Sequence, residues 1–313
     1  GPGVWNGWKG QLLRELYTAT EAAFRGGRDA DPETSFRRHQ HDQADAAREA
    51  LVRADPRSLH FAESMDDAYF AAFTSEEHRA HAALSRRAAE QGGSAAAASI
   101  REDRHAAELV LAAQDRRGLF ADLAGVMSGL GANVVGARAH TSRAGQALDI
   151  FYLQDASGAA FGSQNPKALE RLAASLESAG RGERPIFEAR RPADPGRAAA
   201  FDISPAVAAD NEASRNCTVI EASGRDRPGL LEELARTLAE AGLSIQSAHV
   251  DNYGERAVDA FYVQTPAEER IVDPAQLETL KARLLDVLGQ GEPLAGPPRG
   301  RPRLERARAS VAR

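Results

Sequence analysis

Residues 217–264 read CTVIEASGRDRPGLLEELARTLAEAGLSIQSAHVDNYGERAVDAFYVQ. A β-type run, Thr218, Val219 and Ile220, ends in the turn Arg225-Asp226-Arg227-Pro228-Gly229. A helix is predicted next, with Leu230, Leu231, Leu234 and Leu238 on one face and Gly242 as its stop signal. Two more strand-like runs follow, 243–250 and 257–263, with Asn252, Tyr253 and Gly254 as the hairpin turn. Asp226 is placed to cap the helix, and Pro228 suits its first turn. Gly229 has no side chain, so a ligand or another backbone can come close. Amides at a helix start attract a carboxylate, each contact contributing about 0.3–1 kcal/mol. Taken alone, the stretch reads as a plain strand–turn–helix connection with a well-made cap.

A second copy changes that reading. Residues 108–154 read ELVLAAQDRRGLFADLAGVMSGLGANVVGARAHTSRAGQALDIFYLQ. Asp115-Arg116-Arg117-Gly118-Leu119 matches Asp226-Arg227-Pro228-Gly229-Leu230, and Gly131 matches Gly242. Asp149-x-Phe151-Tyr152-x-Gln154 matches Asp259-x-Phe261-Tyr262-x-Gln264. A repeat at this spacing implies one small domain per copy plus an insert. The pattern resembles the ACT domain, a βαββαβ module that binds amino acids at domain–domain interfaces. The resemblance implies ligand contacts at Asp226, Arg227, Pro228, Gly229, Leu230, Ser244, Ile245 and Gln246. In the first copy it implies Asp115, Arg116, Gly118, Leu119, Asn133 and Val134. Arg117 stands where the motif has proline, so the first turn is expected to be less rigid and a poorer binder.

The composition narrows the class. The 313 residues suffice for two or three domains, and 42% hydrophobic content is ordinary for a globular protein. A net charge of −6 disfavours nucleic acid as a partner. The single cysteine, Cys217, excludes an internal disulfide, fits a reducing cytoplasm, and is expected to pack at a strand start. No apolar run reaches membrane-spanning length, and no signal peptide is visible, so no membrane partner is expected. The chain begins with Gly1, so it is expected to be a piece of a longer protein.

Upstream, a helix is predicted from Asn6 toward Phe24, anchored by Trp5 and Trp8. Trp5-Asn6-x-Trp8-Lys9, then Leu12-Leu13-Arg14-Glu15-Leu16-Tyr17, resembles a segment of bacterial uridylyltransferase/uridylyl-removing enzymes. Those enzymes modify the PII nitrogen-signalling protein, and a tandem ACT pair closes their C-terminus. The resemblance implies five regions: 1–30, the terminal helix of an HD-type hydrolase domain; 31–99, a helical linker; 100–206 and 207–290, the two ACT domains; and 291–313, a disordered tail. Within the linker, Asp55-Pro56 breaks one helix, 66–73 forms a short one, and Thr74-Ser75-Glu76-Glu77 starts another. Gly-Gly-Ser and alanines at 92–99 read as a flexible joint. Helix two of the first unit starts at Asn165-Pro166, 181–197 reads as a loop, and 199–204 is a candidate fourth strand. Asp273-Pro274 starts the second unit's last helix, after which no final strand is legible.

Catalytic constellations are weak. His39, His41 and Asp42 include a literal His-Asp pair without supporting ligands, and a polar helix face is the better reading. His78 and His81 lie one turn apart and read as a solvated face. Gly93-Ser94 lacks the Asp-x-Asp pair of a nucleotidyltransferase, and Gly129-Leu130-Gly131 reads as a helix stop. No catalytic residue and no metal ligand is therefore assigned to this chain. The expected fold class is α+β: a helical N-terminal segment, then two ferredoxin-like βαββαβ domains. The resemblance implies a glutamine-sensing regulatory region of a PII uridylyltransferase/uridylyl-removing enzyme, cytoplasmic, with L-glutamine as effector. It implies no cofactor here and magnesium for the parent enzyme, whose active sites would lie upstream. A stand-alone ACT-repeat binding protein without catalytic activity is the alternative.

Overall fold

The computed structural model describes residues 32–183, 203–214, 216–253 and 255–289. The tryptophan-bearing helix, most of the loop at 181–197 and the C-terminal tail lie outside them. Among the described residues, four α-helices come first: α1 (Pro32–Ala54), α2 (Leu59–Ser64), α3 (Asp67–Ala72) and α4 (Ser75–Glu90). Asp55 accepts from the amide of Arg57 and ends α1, as a residue before proline should. Thr74 and Glu77 form a reciprocal capping box at the start of α4.

Two α+β units follow. The first holds β1 (Ser94–Arg101), β2 (Ala106–Gln114), α5 (Leu119–Gly129), β3 (Asn133–Thr141), β4 (Gln146–Gln154) and α6 (Pro166–Gly180). The second holds β5 (Ala206–Asp210), β6 (Thr218–Arg225), α7 (Leu230–Glu240), β7 (Ser244–Tyr253), β8 (Arg256–Gln264) and α8 (Pro274–Gly289). The strands form one sheet in the order β1-β2-β4-β3-β7-β8-β6-β5. Every neighbouring pair is antiparallel, and the units join where Gly136, Ala137 and Arg138 pair with Asp251, Val250 and His249. Each unit is a four-stranded ferredoxin-like sheet with two helices on one face.

The connectivity differs from the expected order in one respect. Each unit's outer strand precedes its first motif strand, giving ββαββα. Residues 94–99 are thus in a strand and not a joint. Their alanines are small because β1 lies between helices: Ala96 packs with the α5–α6 side and Ala95 with the α1–α4 side. A Cβ on Gly180 would collide with Ser94 and Ala113, so α6 also comes very close here. Residues 199–202 lie outside the described residues, and 203–205 are not strand. The strand that follows, β5, pairs with β6 and fills the second unit's outer position.

One core lies between the sheet and the helices α5–α8 and runs through both units. The rings of Phe120 and Phe261 meet across the units edge to face, centroids 6.5 Å apart. The other face of the first unit's sheet is covered by α1–α4. Leu109 and Leu111 therefore face one core while Val110 and Ala112 face the other, which explains the unbroken apolar run at 109–113 of β2.

This second core also corrects the reading of His78 and His81, which are 3% and 4% exposed. They pack against Tyr69, whose hydroxyl lies 3.0 Å from His81 Nδ1. Helical spacing could not tell which face α4 presents to the sheet. His41, by contrast, is exposed and pairs with Asp67 and Asp45, a polar helix face as expected. Cys217 is buried, and burial pushes its thiol up.

Candidate functional site

Both motif turns take one conformation. Gly118 and Gly229 are the N-cap residues of α5 and α7, with φ of 80° and 84°. Only glycine adopts this region without strain. The first turn holds its shape although Arg117 replaces proline. Asp226 does not cap the helix: neither Gly cap carries a side-chain cap bond, and Pro228 precedes the cap instead of opening the helix. The Asp226 carboxylate accepts instead from Asn252 Nδ2 at 3.0 Å. In the first unit Thr141 Oγ1 lies 3.4 Å from Asp115 in the same relation.

The hairpin turn lies later than expected. Asn252 and Tyr253 belong to β7, which extends to Tyr253 because its pairing with β8 continues to Arg256. That places Asn252 on the strand, where it reaches the turn of its own unit.

The units approach each other about a pseudo-two-fold relation. A Cβ built on Gly118 would lie 3.8 Å from Ala239 of α7, and one on Gly229 would lie 3.8 Å from Ser128 of α5. Each turn thus faces the end of the opposite unit's first helix and the start of its third strand. The turn at Asp115, Arg116, Gly118 and Leu119 shares a cavity with Ser244 and Ile245. The turn at Asp226, Arg227, Pro228, Gly229 and Leu230 shares one with Asn133 and Val134. Gln246 lines neither; it is the extra residue of a bulge between Ile245 and Ser247.

The two cavities differ greatly. The first measures about 20 Å³ and the second about 1320 Å³. Aligned side chains explain the contrast. Phe120, Leu243 and Ile245 line the first, where Leu231, Ala132 and Val134 line the second. Larger apolar groups fill the first cavity to the volume of about one water.

The motif arginines are already engaged. Arg227 makes a bidentate pair with Glu233, at 2.7 and 2.6 Å, and donates to the Val287 carbonyl at 3.0 Å. Arg116 pairs with Asp122 at 2.8 Å and donates to the Ala179 carbonyl at 3.0 Å. Each clamps its turn to the first helix and to the end of the second helix. These contacts give both arginines a structural role.

The structure adds two residues that sequence reasoning left out of the site. Asp149 and Asp259 stand mid-strand beneath the turns, on the sheet face of Phe151 and Phe261, at the floor of the two cavities. Asp259 is 2% exposed. Its Oδ1 has no hydrogen-bond partner among the described residues. Burial, reinforced by Asp115 beside Asp149 and by Asp226 and Asp251 near Asp259, holds both carboxyls well above the usual carboxylate range. Burial likewise raises Asp115 and Asp226. The available signal was an aspartate at the same place in both copies, inside an otherwise apolar strand. Among the described residues, no group of three or more His, Cys, Asp or Glu side chains is arranged to hold a metal. No described helix is long and apolar enough to cross a membrane.

Residues 218–288 match the ACT domain family. The chain carries an ACT domain. Along all 313 residues it is 60% identical to the bifunctional uridylyltransferase/uridylyl-removing enzyme of Caulobacter vibrioides. It is 57% identical over the same length to the enzyme of that name in Phenylobacterium zucineum. Each match covers 100% of this chain and 33% of the relative, so the chain spans about a third of their length. It matches the C-terminal third of these enzymes. A solved aspartate kinase from Synechocystis aligns with 59% of this chain and 27% of its own, at 16% identity and a TM-score of 0.33, too weak to bear on the fold. The ACT domain at 218–288 supplies the turn, floor and clamp of the open cleft, and the unit before it supplies the opposite wall.

Proposed function

We propose that this chain is the glutamine-sensing regulatory region of a PII uridylyltransferase/uridylyl-removing enzyme. The observation that carries this reading is the open cleft at Asp226–Leu230, walled by Asn133 and Val134 of the other unit. A ligand spanning two units favours one arrangement of them over another, which is the physical requirement for a sensor. Coupling of about 1–3 kcal/mol, roughly 5–150-fold in affinity, is the usual scale. Backbone at Gly229 and Leu230 receives the ligand's carboxylate, and glutamine occupancy favours uridylyl removal over transfer in the parent. The second turn is the binding turn, since the first is filled by Phe120, Leu243 and Ile245. Magnesium use belongs to the rest of the parent enzyme, whose partner is PII. The extent of the relatives supports this reading over a stand-alone ACT repeat.

Calorimetric titration of the chain with a panel of amino acids tests it. Glutamine is expected to bind once per chain. Gly229→Val is a poor steric block, because valine at this φ strains the backbone whatever the space. Asn133→Trp is better: Asn133 is an exposed strand residue on the cleft wall. That variant should melt like the parent and lose glutamine binding. Unchanged binding would place the ligand elsewhere.

A further inference from the structure

Asp259 is a carboxyl group in an unusual position. It sits mid-strand on β8, flanked by Ala222 of β6 and Val250 of β7, on the face that packs against helices. Its Oδ1 is buried at the cleft floor with no hydrogen-bond partner among the described residues. An orphaned buried oxygen is costly to the fold, so its presence calls for a partner that arrives from outside. Among the described residues, the groups facing it do not supply one. Asp226, in the turn above, is an acceptor already held by Asn252 of β7. Arg227 of the turn and Glu233 of α7 are paired with each other. Asp251 acts on it with the same sign of charge. Among the described lining residues, carboxyl side chains outnumber guanidiniums, and the other guanidinium, Arg236, is paired with Glu232 and Asp122.

We propose that Asp259, with Asp226 beside it, is the receptor for the ligand's α-ammonium group, so that the cleft selects free α-amino acids over their deaminated analogues. This rests on the reading of the cleft as an amino-acid site. Turn backbone at Gly229 and Leu230 takes the carboxylate end, and the two aspartates take the cationic end. Without a ligand, burial and two neighbouring aspartates favour the protonated form of Asp259. When an ammonium arrives, the carboxyl O–H gives its proton to solvent and the carboxylate accepts from the ligand's N–H. The ammonium itself keeps all its protons. Binding of the zwitterion therefore releases up to about one proton per site.

The test is calorimetry of the whole chain near neutral pH, in two buffers of different ionisation enthalpy. L-Glutamine is compared with 4-carbamoylbutanoate, which is glutamine without its amino group. The parent chain should prefer glutamine by about tenfold or more, as loss of a charged hydrogen bond implies. It should release protons with glutamine and none with the analogue. Asp259→Asn, nearly isosteric with the protonated acid, should lose both the preference and the proton release; a melting curve reports its fold. Equal affinity of the parent for both compounds would overturn the inference while leaving the glutamine site intact. So would a folded Asp259→Asn chain that keeps both signals. No heat with glutamine or any other amino acid would remove the amino-acid reading, and the inference with it. The parent-chain comparison decides the matter even if the variant does not fold.

Discussion

The side-chain amide of Asn252 donates to the carboxylate of Asp226 at 3.0 Å, and the same nitrogen lies 3.3 Å from the carbonyl of Val134 in the other unit. One side chain thus ties the turn to its own sheet and to the opposite wall of the cleft. Asn252→Ala should destabilise the chain by about 1–3 kcal/mol, since Asp226 is left without this donor in a buried place. Urea denaturation measures this. A variant within about 0.5 kcal/mol of the parent, the size of an ordinary surface change, would show that the tie is not needed.

Arg227→Ala should also act on stability. The side chain holds Glu233 with two bonds and the Val287 carbonyl with a third. Charged hydrogen bonds at such part-buried sites contribute about 1.5–3 kcal/mol together with their neighbours' satisfaction. Arg227→Lys should not restore the loss, because an ammonium cannot reproduce the bidentate fork. Rescue by lysine, seen in the denaturation midpoint, would contradict the clamp.

Leu243→Ala should cost about 2–5 kcal/mol and enlarge the first cavity. Leu243 is buried there, where the second cavity has Ala132. Xenon or small apolar probes, followed by NMR shifts of α5, would report the new space. A loss below about 1 kcal/mol would mean that the surrounding helices collapse into the gap.

Asp149 lies in the closed cavity, so its titration is read without ligand. Its carboxyl is raised well above the usual range by burial. An acid raised in the fold contributes stability that is full below its unfolded pKa, about 3.9, and lost as pH rises toward its folded value. Asp149→Asn removes that loss. The variant should melt above the parent at neutral pH, with the gap closing toward pH 4. A gap of constant size across this range would show that Asp149 does not titrate with folding.

The histidines under α1–α4 carry the opposite sign. Burial lowers His81 to about 4 and His140 to about 3. A base lowered in the fold contributes stability present above its unfolded value, about 6.5, and lost as pH falls through the folded one. Acidification from pH 6.5 toward 4 should therefore loosen the helical layer. Hydrogen exchange in α3 and α4 should rise before exchange in α7 and β8. Simultaneous loss of protection everywhere would mean that the layer is not a separate unit of stability.

Much of this molecule was legible in one dimension. The turn Asp226–Leu230 and its copy at Asp115–Leu119 located both helix starts, because a glycine at positive φ and an apolar face at helical spacing are local requirements. The repeat itself located two units, and β2–β4 and β6–β8 followed from it with ends shifted by one to five residues, most at β6, which runs to Arg225 where only Thr218 to Ile220 read as strand. The outer strands were not legible. An alanine run such as 94–99 lacks β-branched and aromatic residues, and only a partner strand and two helix layers make it a strand. Asp226 as a cap was a local reading that lost to a longer-range partner, Asn252.

The sequence by itself determined the two turns, the helix faces and the internal repeat, since each depends on residues close in the chain. Tertiary structure alone decided that the turn of one unit meets the third strand of the other. It alone decided that one meeting place is filled by Phe120, Leu243 and Ile245 while its twin stays open. It also decided which carboxyl lies orphaned at the floor. Volume and burial are properties of groups brought together from distant parts of the chain, and no local pattern carries them.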